Sequence, residues 1–267
     1  MWLQVPGFDA CHAFSTRLGG VSQPPFDALD LSLSSADLAE NARRFAASLG
    51  LTTAQLACVH QVHGSRIVEV VPAAAGSSSD PDRVAFDPST IDLTPLAEAD
   101  GLITQARGIA LAVRTADCVP ILIASDRQSE SESPPAIAAL HAGWRGTLDL
   151  IADRAVRLFG ARFGIPVSRL SAAIGPCIGP CCYAVSQALA ADFAARFGAS
   201  CITGQPDKPH LDLREANRQA LLAAGLAPDA IHVSHHCTAC DGERFFSHRR
   251  DAGQTGRHLS VIVMDQR

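Results

Sequence analysis

Three short stretches place metal- and proton-handling side chains at turn-like positions: CVHQVHG (58–64), RTADC (114–118) and AALHAGWRG (138–146). Imidazole nitrogen and thiolate sulfur are donors that zinc favours, and three protein ligands beside an open fourth position describe a catalytic zinc centre. His63, Cys118 and His141 make such a set. His60 and His63 are three residues apart, so on a strand they point to opposite faces and only one joins a site. His63 is favoured, because it stands before Gly64, where backbone can approach closely. Cys118 and His141 are joined by a simple geometric expectation. The strand-like run VPILIA follows Cys118, a polar loop comes next, and the strand-like run AIAAL delivers His141. If the two runs pair as a hairpin, strands about 5 Å apart put both side chains at one open end.

The same residues suit other chemistries. Cys118 with His141 is a nucleophile–base pair for a cysteine hydrolase, with Asp117 available to orient a partner. A His–Cys–His set also accepts a single copper when a weak axial methionine is near. The methionines here are Met1 and Met264, and none of the ten histidines forms the H-x-H pair common in laccase-type copper clusters. Zinc is the expected metal, with copper as the alternative.

Within AALHAGWRG, Gly143 and Gly146 permit a tight strand-to-helix turn, and Thr147 is the expected N-cap. That arrangement would aim backbone N–H groups and a positive helix end at whatever sits beside His141. Arg145 adds a planar charged fork matched to phosphate or carboxylate. An anion site next to a metal site is the expectation.

Apolar spacing predicts helices over 37–50, 147–160 and 185–197, and a fourth from Asp212 to near Gly225. Asp212 and Glu215 open the last with an aspartate variant of the capping-box spacing. Between them lie β-rich runs: LACVHQV, SRIVEVV, IALAVRT, VPILIA, AIAAL, LSAAI, AIHVSH and LSVIVM. The mixture predicts an α/β (α+β) fold with mixed sheets. Polar GSSSDPD (76–82) and SDRQSESESPP (125–135) read as surface loops, too short for interdomain linkers, and no internal repeat is visible.

Hydrophobic residues make up 47% of the 267 and charged residues 18%, which suits a globular chain with a sizeable core. A net charge of −5 argues against a nucleic-acid or anionic-membrane surface. No apolar run reaches the roughly 18 residues of a membrane span. The opening MWLQVPGFDACHAF lacks the pattern of a signal peptide, so a cytoplasmic protein is expected. Nine cysteines in such a chain read as thiols or metal ligands, not as a disulfide framework. Cys177, Cys181 and Cys182 in GPCIGPCCY lie about 55 residues before Cys237 and Cys240 in CTAC, with His232, His235 and His236 nearby. That separation is far wider than in a zinc ribbon, so buried or loop thiols are expected and no second metal.

FSTRLGGVSQPPFDALDLS, HQVHG, ADGLIT, RTADCVPIL, HAGWRG, AIGPCIGPCCYAV and FFSHRRDAGQTGR occur in that order. Together they resemble the YfiH-like laccase-domain family, once described as multicopper polyphenol oxidoreductases and now as purine nucleoside phosphorylases. The resemblance runs from about residue 14 to 262. It implies a single domain, residues 1–267, of layered mixed sheets flanked by helices, similar in fold to a bacterial deamidating toxin that uses Cys and His. It also implies a metal site at His63, Cys118 and His141. The implied activities are phosphorolysis of adenosine, inosine, guanosine and methylthioadenosine, plus adenosine deamination. Purine nucleosides and phosphate would then be the partners. Arg145 and Arg249 are the preferred phosphate holders, ahead of Arg257 and Arg17. Asp30 stands where the family usually has asparagine, and SSAD (34–37) is atypical, which leaves a substrate role for that loop in doubt. A copper-dependent polyphenol oxidase, a cysteine hydrolase or amidase, and a binding-only scaffold are the competing readings.

Overall fold

Runs such as VPILIA and AIAAL carry no polar alternation, so as strands they need cover on both faces. A computed structural model, describing residues 1–75, 79–89, 93–126 and 134–264, shows how that cover is arranged. Its strands are β1 (Trp2–Leu3), β2 (Cys11–Ser15), β3 (Leu56–Cys58), β4 (Ile67–Pro72) and β5 (Arg83–Phe86). There follow β6 (Gly101–Thr104), β7 (Ala110–Thr115), β8 (Val119–Ser125), β9 (Ile137–Ala142) and β10 (Leu170–Ile174). The last are β11 (Ile202–Gln205), β12 (Lys208–Leu211), β13 (Ile231–Val233) and β14 (His258–Val263). Helices α1 (Leu38–Ser48), α2 (Trp144–Leu148), α3 (Ile151–Phe163), α4 (Gln187–Phe197) and α5 (Leu213–Ala223) complete the set.

Two mixed sheets stack. One has the order β13-β10-β8-β9-β6-β4-β5, the other β1-β2-β14-β7-β3, and β11-β12 form a separate hairpin. Alternate residues of β8 divide between layers. Ile121 and Ile123 pack under α3 and α5 with Ile151, Phe159 and Leu221. Leu122 and Ala124 face the second sheet, meeting Phe14, Leu111 and Ile262. The far side of that sheet packs on α1 through Ala112, Val261 and Phe45. The order of layers is helices, sheet, sheet, helix. Both faces of β8 and β9 are thus dry, and every residue of the two strands is buried.

Most of the expected elements form, with instructive departures. The Asp212 carboxylate accepts hydrogen bonds from the N–H groups of Arg214 (3.0 Å) and Glu215 (3.2 Å), so the cap read from spacing opens α5. The expected 147–160 helix is two helices, α2 and α3, separated at Leu150, whose φ of 60° is left-handed. Thr147 is not the N-cap. Gly143 holds that position, and Thr147 lies buried inside α2, accepting a hydrogen bond from the Asn217 amide at 3.0 Å. Five residues of α2 are too few to sum a useful dipole, so the expected positive helix end contributes little beside His141. LACVHQV is a strand only as far as Cys58. Strands β1, β2, β5, β6, β11 and β12 are outside the expected runs. They are short or polar, and pairing with neighbours supplies what local pattern lacks. Of the two expected surface loops, residues 76–78 and 127–133 lie outside the described residues.

Candidate metal and anion site

The β8–β9 pairing is antiparallel, with Val119 opposite Ala142 and Pro120 opposite His141. Cys118, one residue before β8, therefore arrives beside His141 at the open end of the hairpin. His63 comes from a turn after β3, not from a strand, and its φ of 61° is left-handed. That turn is held by Asp100, which is fully buried at the start of β6. Its carboxylate accepts N–H bonds from Val62 (3.2 Å), His63 (2.9 Å) and Gly64 (2.6 Å). The same carboxylate takes the Nδ1–H of His141 at 2.8 Å. One acid thus positions both histidines. His60, by contrast, is bridged to Glu98 and does not join the set.

The donor atoms of His63, Cys118 and His141 all lie within 4.8 Å of one another. The imidazole rings of His63 and His141 stand edge to face, 4.9 Å between centroids. Gly143 leaves the space between them clear: a Cβ there would come within 3.3 Å of the Cys118 sulfur and 3.4 Å of the His63 ring. Gly146 lets the loop press on the His63 turn, since a Cβ would meet the Gly64 carbonyl at 2.5 Å. Burial opposes a charged Cys118, yet His141 and His63 outweigh it by charge and hydrogen bonding and bring the thiol down to about 6. Burial likewise opposes a charged His141, but Cys118 and Asp100 together lift it to about 9. Two nitrogens, one readily ionised sulfur, and a carboxylate behind one imidazole are the donor chemistry of zinc, with the outer carboxylate fixing tautomer and orientation.

The set opens on a cleft of ≈ 960 Å³ whose walls include Arg114, Arg145, Arg249 and Arg257. Two of these are committed to aromatic faces: Arg145 lies 4.2 Å over Trp144, and Arg249 lies 4.9 Å over Tyr183. The Arg257 guanidinium donates to the carbonyls of Thr255 and Gly256. Arg17 lies outside the lining, donating to Asp27 and to the Gly242 carbonyl. Asp30 is turned inward, accepting from the backbone N–H groups of Ser32 (2.9 Å) and Arg257 (3.0 Å).

Sequence reasoning missed Arg114. It is 7% exposed, its Nε donates to the Leu31 carbonyl at 2.8 Å, and both terminal nitrogens are buried without a partner among the described residues. A buried guanidinium left so is costly, and an anion in the cleft would relieve it. Its signal was a charge directly after the five apolar residues of IALAVRT, near the end of a buried strand. Asp100 was also missed, although an acid directly before the apolar run GLI in EADGLIT carried the same kind of signal. Asp117 does not reach His141. It accepts instead from Thr238 Oγ1 (2.6 Å) and from the Arg249 N–H (2.7 Å), anchoring the segment that carries Arg249.

With this geometry in view, comparison with known proteins is decisive about kinship. The family model described as multi-copper polyphenol oxidoreductase laccase matches residues 11–265. The chain belongs to this family. A purine nucleoside phosphorylase of Deinococcus radiodurans is 38% identical over 269 residues, covering 99% of this chain and 93% of the relative. The crystal structure of YlmD from Geobacillus stearothermophilus is similar with a TM-score of 0.83 and 36% identity, covering 99% of this chain and 96% of that one. That protein is named a purine nucleoside phosphorylase. Adenosine deaminase RL5, from an unknown prokaryotic organism, is 34% identical over 221 residues, covering 81% of this chain and 78% of the relative. The expected fold class, layered mixed sheets flanked by helices, agrees with these neighbours. Among the described residues, no helix is long and apolar enough to cross a membrane.

Proposed function

We propose that the chain is a zinc-dependent purine nucleoside enzyme. It splits adenosine, inosine, guanosine and methylthioadenosine with phosphate, giving the free base and (methylthio)ribose 1-phosphate, and it also deaminates adenosine. The carrying observation is that one cleft joins the His63–Cys118–His141 donors to the two terminal guanidinium nitrogens of Arg114, which have no partner among the described residues. The names of its relatives support the substrate class.

His63, Cys118 and His141 hold the ion, which when bound supplies Lewis-acid polarisation and makes water a better nucleophile near neutral pH. Asp100 keeps His141 in the tautomer whose Nε2 is free to coordinate. In phosphorolysis a phosphate oxygen bonds to ribose C1′ as the bond from C1′ to the purine nitrogen breaks, its electron pair leaving with the base. Arg114 receives the anion, and Arg145 and Arg249 at the rim add attraction over a longer range. Trp144 and Tyr183 line the same cleft, each with a guanidinium over its ring, and a purine ring could extend either stack. In deamination a water attacks C6 of adenine and ammonia leaves.

Incubating the pure protein with adenosine, with and without phosphate, tests this directly. Adenine formed only with phosphate supports phosphorolysis, and inosine supports deamination. No product from any purine nucleoside overturns the reading. Several coppers per chain after aerobic purification with both metals supplied would favour the polyphenol oxidase alternative. One observation favours the cysteine hydrolase: the lowered Cys118 thiol faces a His141 that stays protonated, as in a thiolate–imidazolium pair. Rapid iodoacetamide labelling of Cys118 in the protein as purified, with turnover insensitive to chelators, would establish it instead.

A further inference from the structure

A second group of donors lies behind the wall of the cleft. The Sγ atoms of Cys181, Cys182, Cys237 and Cys240 all lie within 4.8 Å of one another. Cys240 is 3.4 Å from Cys181 and 3.3 Å from Cys182, sulfur to sulfur. In a tetrahedral zinc site with bonds of about 2.3 Å, sulfurs stand about 3.8 Å apart, so small side-chain rotations suffice. All four are free thiols. We propose that they form a structural tetrathiolate zinc site, separate from the His63–Cys118–His141 set and independent of the function assigned to it.

Backbone geometry supports the assignment. Cys237 and Cys240 are the ends of a Cys-x-x-Cys turn, and the Cys237 sulfur accepts N–H bonds from Gly179, at 3.2 Å, and from Cys240. The opposite pair sits on a turn closed by the Cys182 and Tyr183 N–H groups onto the Gly179 carbonyl (3.0 and 3.1 Å). The two segments also meet at a bridge between Cys177 and Cys237, which closes the wide separation in sequence. Gly179 is in close contact with the group: a Cβ there would meet Cys181 Sγ at 3.2 Å and an Arg214 nitrogen at 3.1 Å. That arginine lies where it offsets the negative charge four thiolates would leave around a dication.

Place in the fold gives the site a role. One segment brings Ile178 and Tyr183 to the cleft and the other brings His248 and Arg249, with Arg249 stacked on Tyr183. Cys181 and Cys240 are exposed, so the tip where the two loops meet is not held by burial of these side chains. A zinc across them fixes that wall of the cleft as a disulfide would, without needing an oxidising compartment.

Zinc counted on the purified full-length chain tests the assignment. Wild type should carry two equivalents, His141→Ala one, and Cys181→Ser/Cys240→Ser one. Cobalt added to zinc-free His141→Ala protein should give intense sulfur-to-cobalt bands and tetrahedral visible bands, a readout that needs no cysteine variant to fold. If the catalytic set binds no metal, wild type carries one equivalent, lost only in the cysteine variant. That outcome sustains the tetrathiolate site while removing the metal from the proposed function. His141→Ala protein that carries no zinc and develops no cobalt–sulfur bands overturns the proposal. So does a mass two hydrogens short, with Cys240 linked to Cys181 or Cys182, in the protein as purified.

Discussion

Cys118 stands beside two imidazoles in the wall of a cleft, whereas Cys181, Cys182, Cys237 and Cys240 chiefly face one another. The neighbours change the chemistry of the same side chain. Histidines that can carry positive charge bring the Cys118 thiol down to about 6. For Cys181, partial desolvation and then hydrogen bonding with the thiols of Cys240 and Cys237 push it up to about 11. Donor number separates the two groups as well. Three donors leave a zinc ion one position for a reactant, and four sulfurs close it. The first group is backed by a fully buried carboxylate that places both histidines, and the second by backbone N–H groups that place sulfur. A reactive centre and a fastening can thus be built from overlapping residue types.

The largest expected effect comes from breaking the reactive group. Cys118→Ser or His141→Ala should abolish binding of the proposed metal and lower kcat by about 10³-fold or more, since Lewis-acid stabilisation is worth several kcal/mol. Nucleoside turnover with purified variants checks this, and activity within a few-fold of wild type would break the contrast. Next is the order of alkylation after chelation. With its thiol near 6, Cys118 gains reactivity as pH rises through 6 and is largely thiolate at pH 7, whereas Cys181 stays protonated until far more alkaline pH. Peptide mapping after limited iodoacetamide at pH 7 should find Cys118 modified first. Initial labelling at Cys181 would contradict the assignment of neighbours.

Two smaller effects sharpen the account of what supports the reactive group. Asp100→Asn keeps the shape but loses the charge behind His141, and should cost about 10–100-fold in metal affinity or turnover. A metal titration and a pH–rate profile distinguish this from simple unfolding. Arg114→Met should raise KM for phosphate about 10–100-fold, the worth of a charged hydrogen bond, while KM for nucleoside moves little. Because the variant removes an unpaired buried charge, its thermal midpoint should be equal to or above that of wild type. A phosphate KM unchanged by Arg114→Met would place the anion elsewhere along the cleft.

How far the site could be read in advance follows from how far apart its parts lie. Cys118 and His141 flank strands that are neighbours in sequence, so hairpin register alone brings them together. Gly64 distinguishes His63 from His60, but strand alternation does not describe this segment. A strand was expected, and the chain instead turns, tied down by three N–H bonds to Asp100. Thr147 matched the residue type of a cap, yet the helix begins earlier and Thr147 is spent on Asn217. The cysteine clusters looked unrelated because no local rule joins residues so distant. They meet where the chain before α4 passes the chain after β13.

By itself, the sequence determined that the runs of β8 and β9 would be strands, where α5 starts, and that a thiol and an imidazole share one end once those two strands pair as a hairpin. Those outcomes depend on side-chain period and on short-range closure, which neighbouring residues control. Only the tertiary structure decided that Asp100 would serve both histidines, that Arg114 would be buried with two free nitrogens, and that four cysteines would converge behind the cleft. Each of these depends on the stacking of two sheets and the loops at their ends. Such contacts arise from the summed packing of the whole chain, not from the pattern of any one segment.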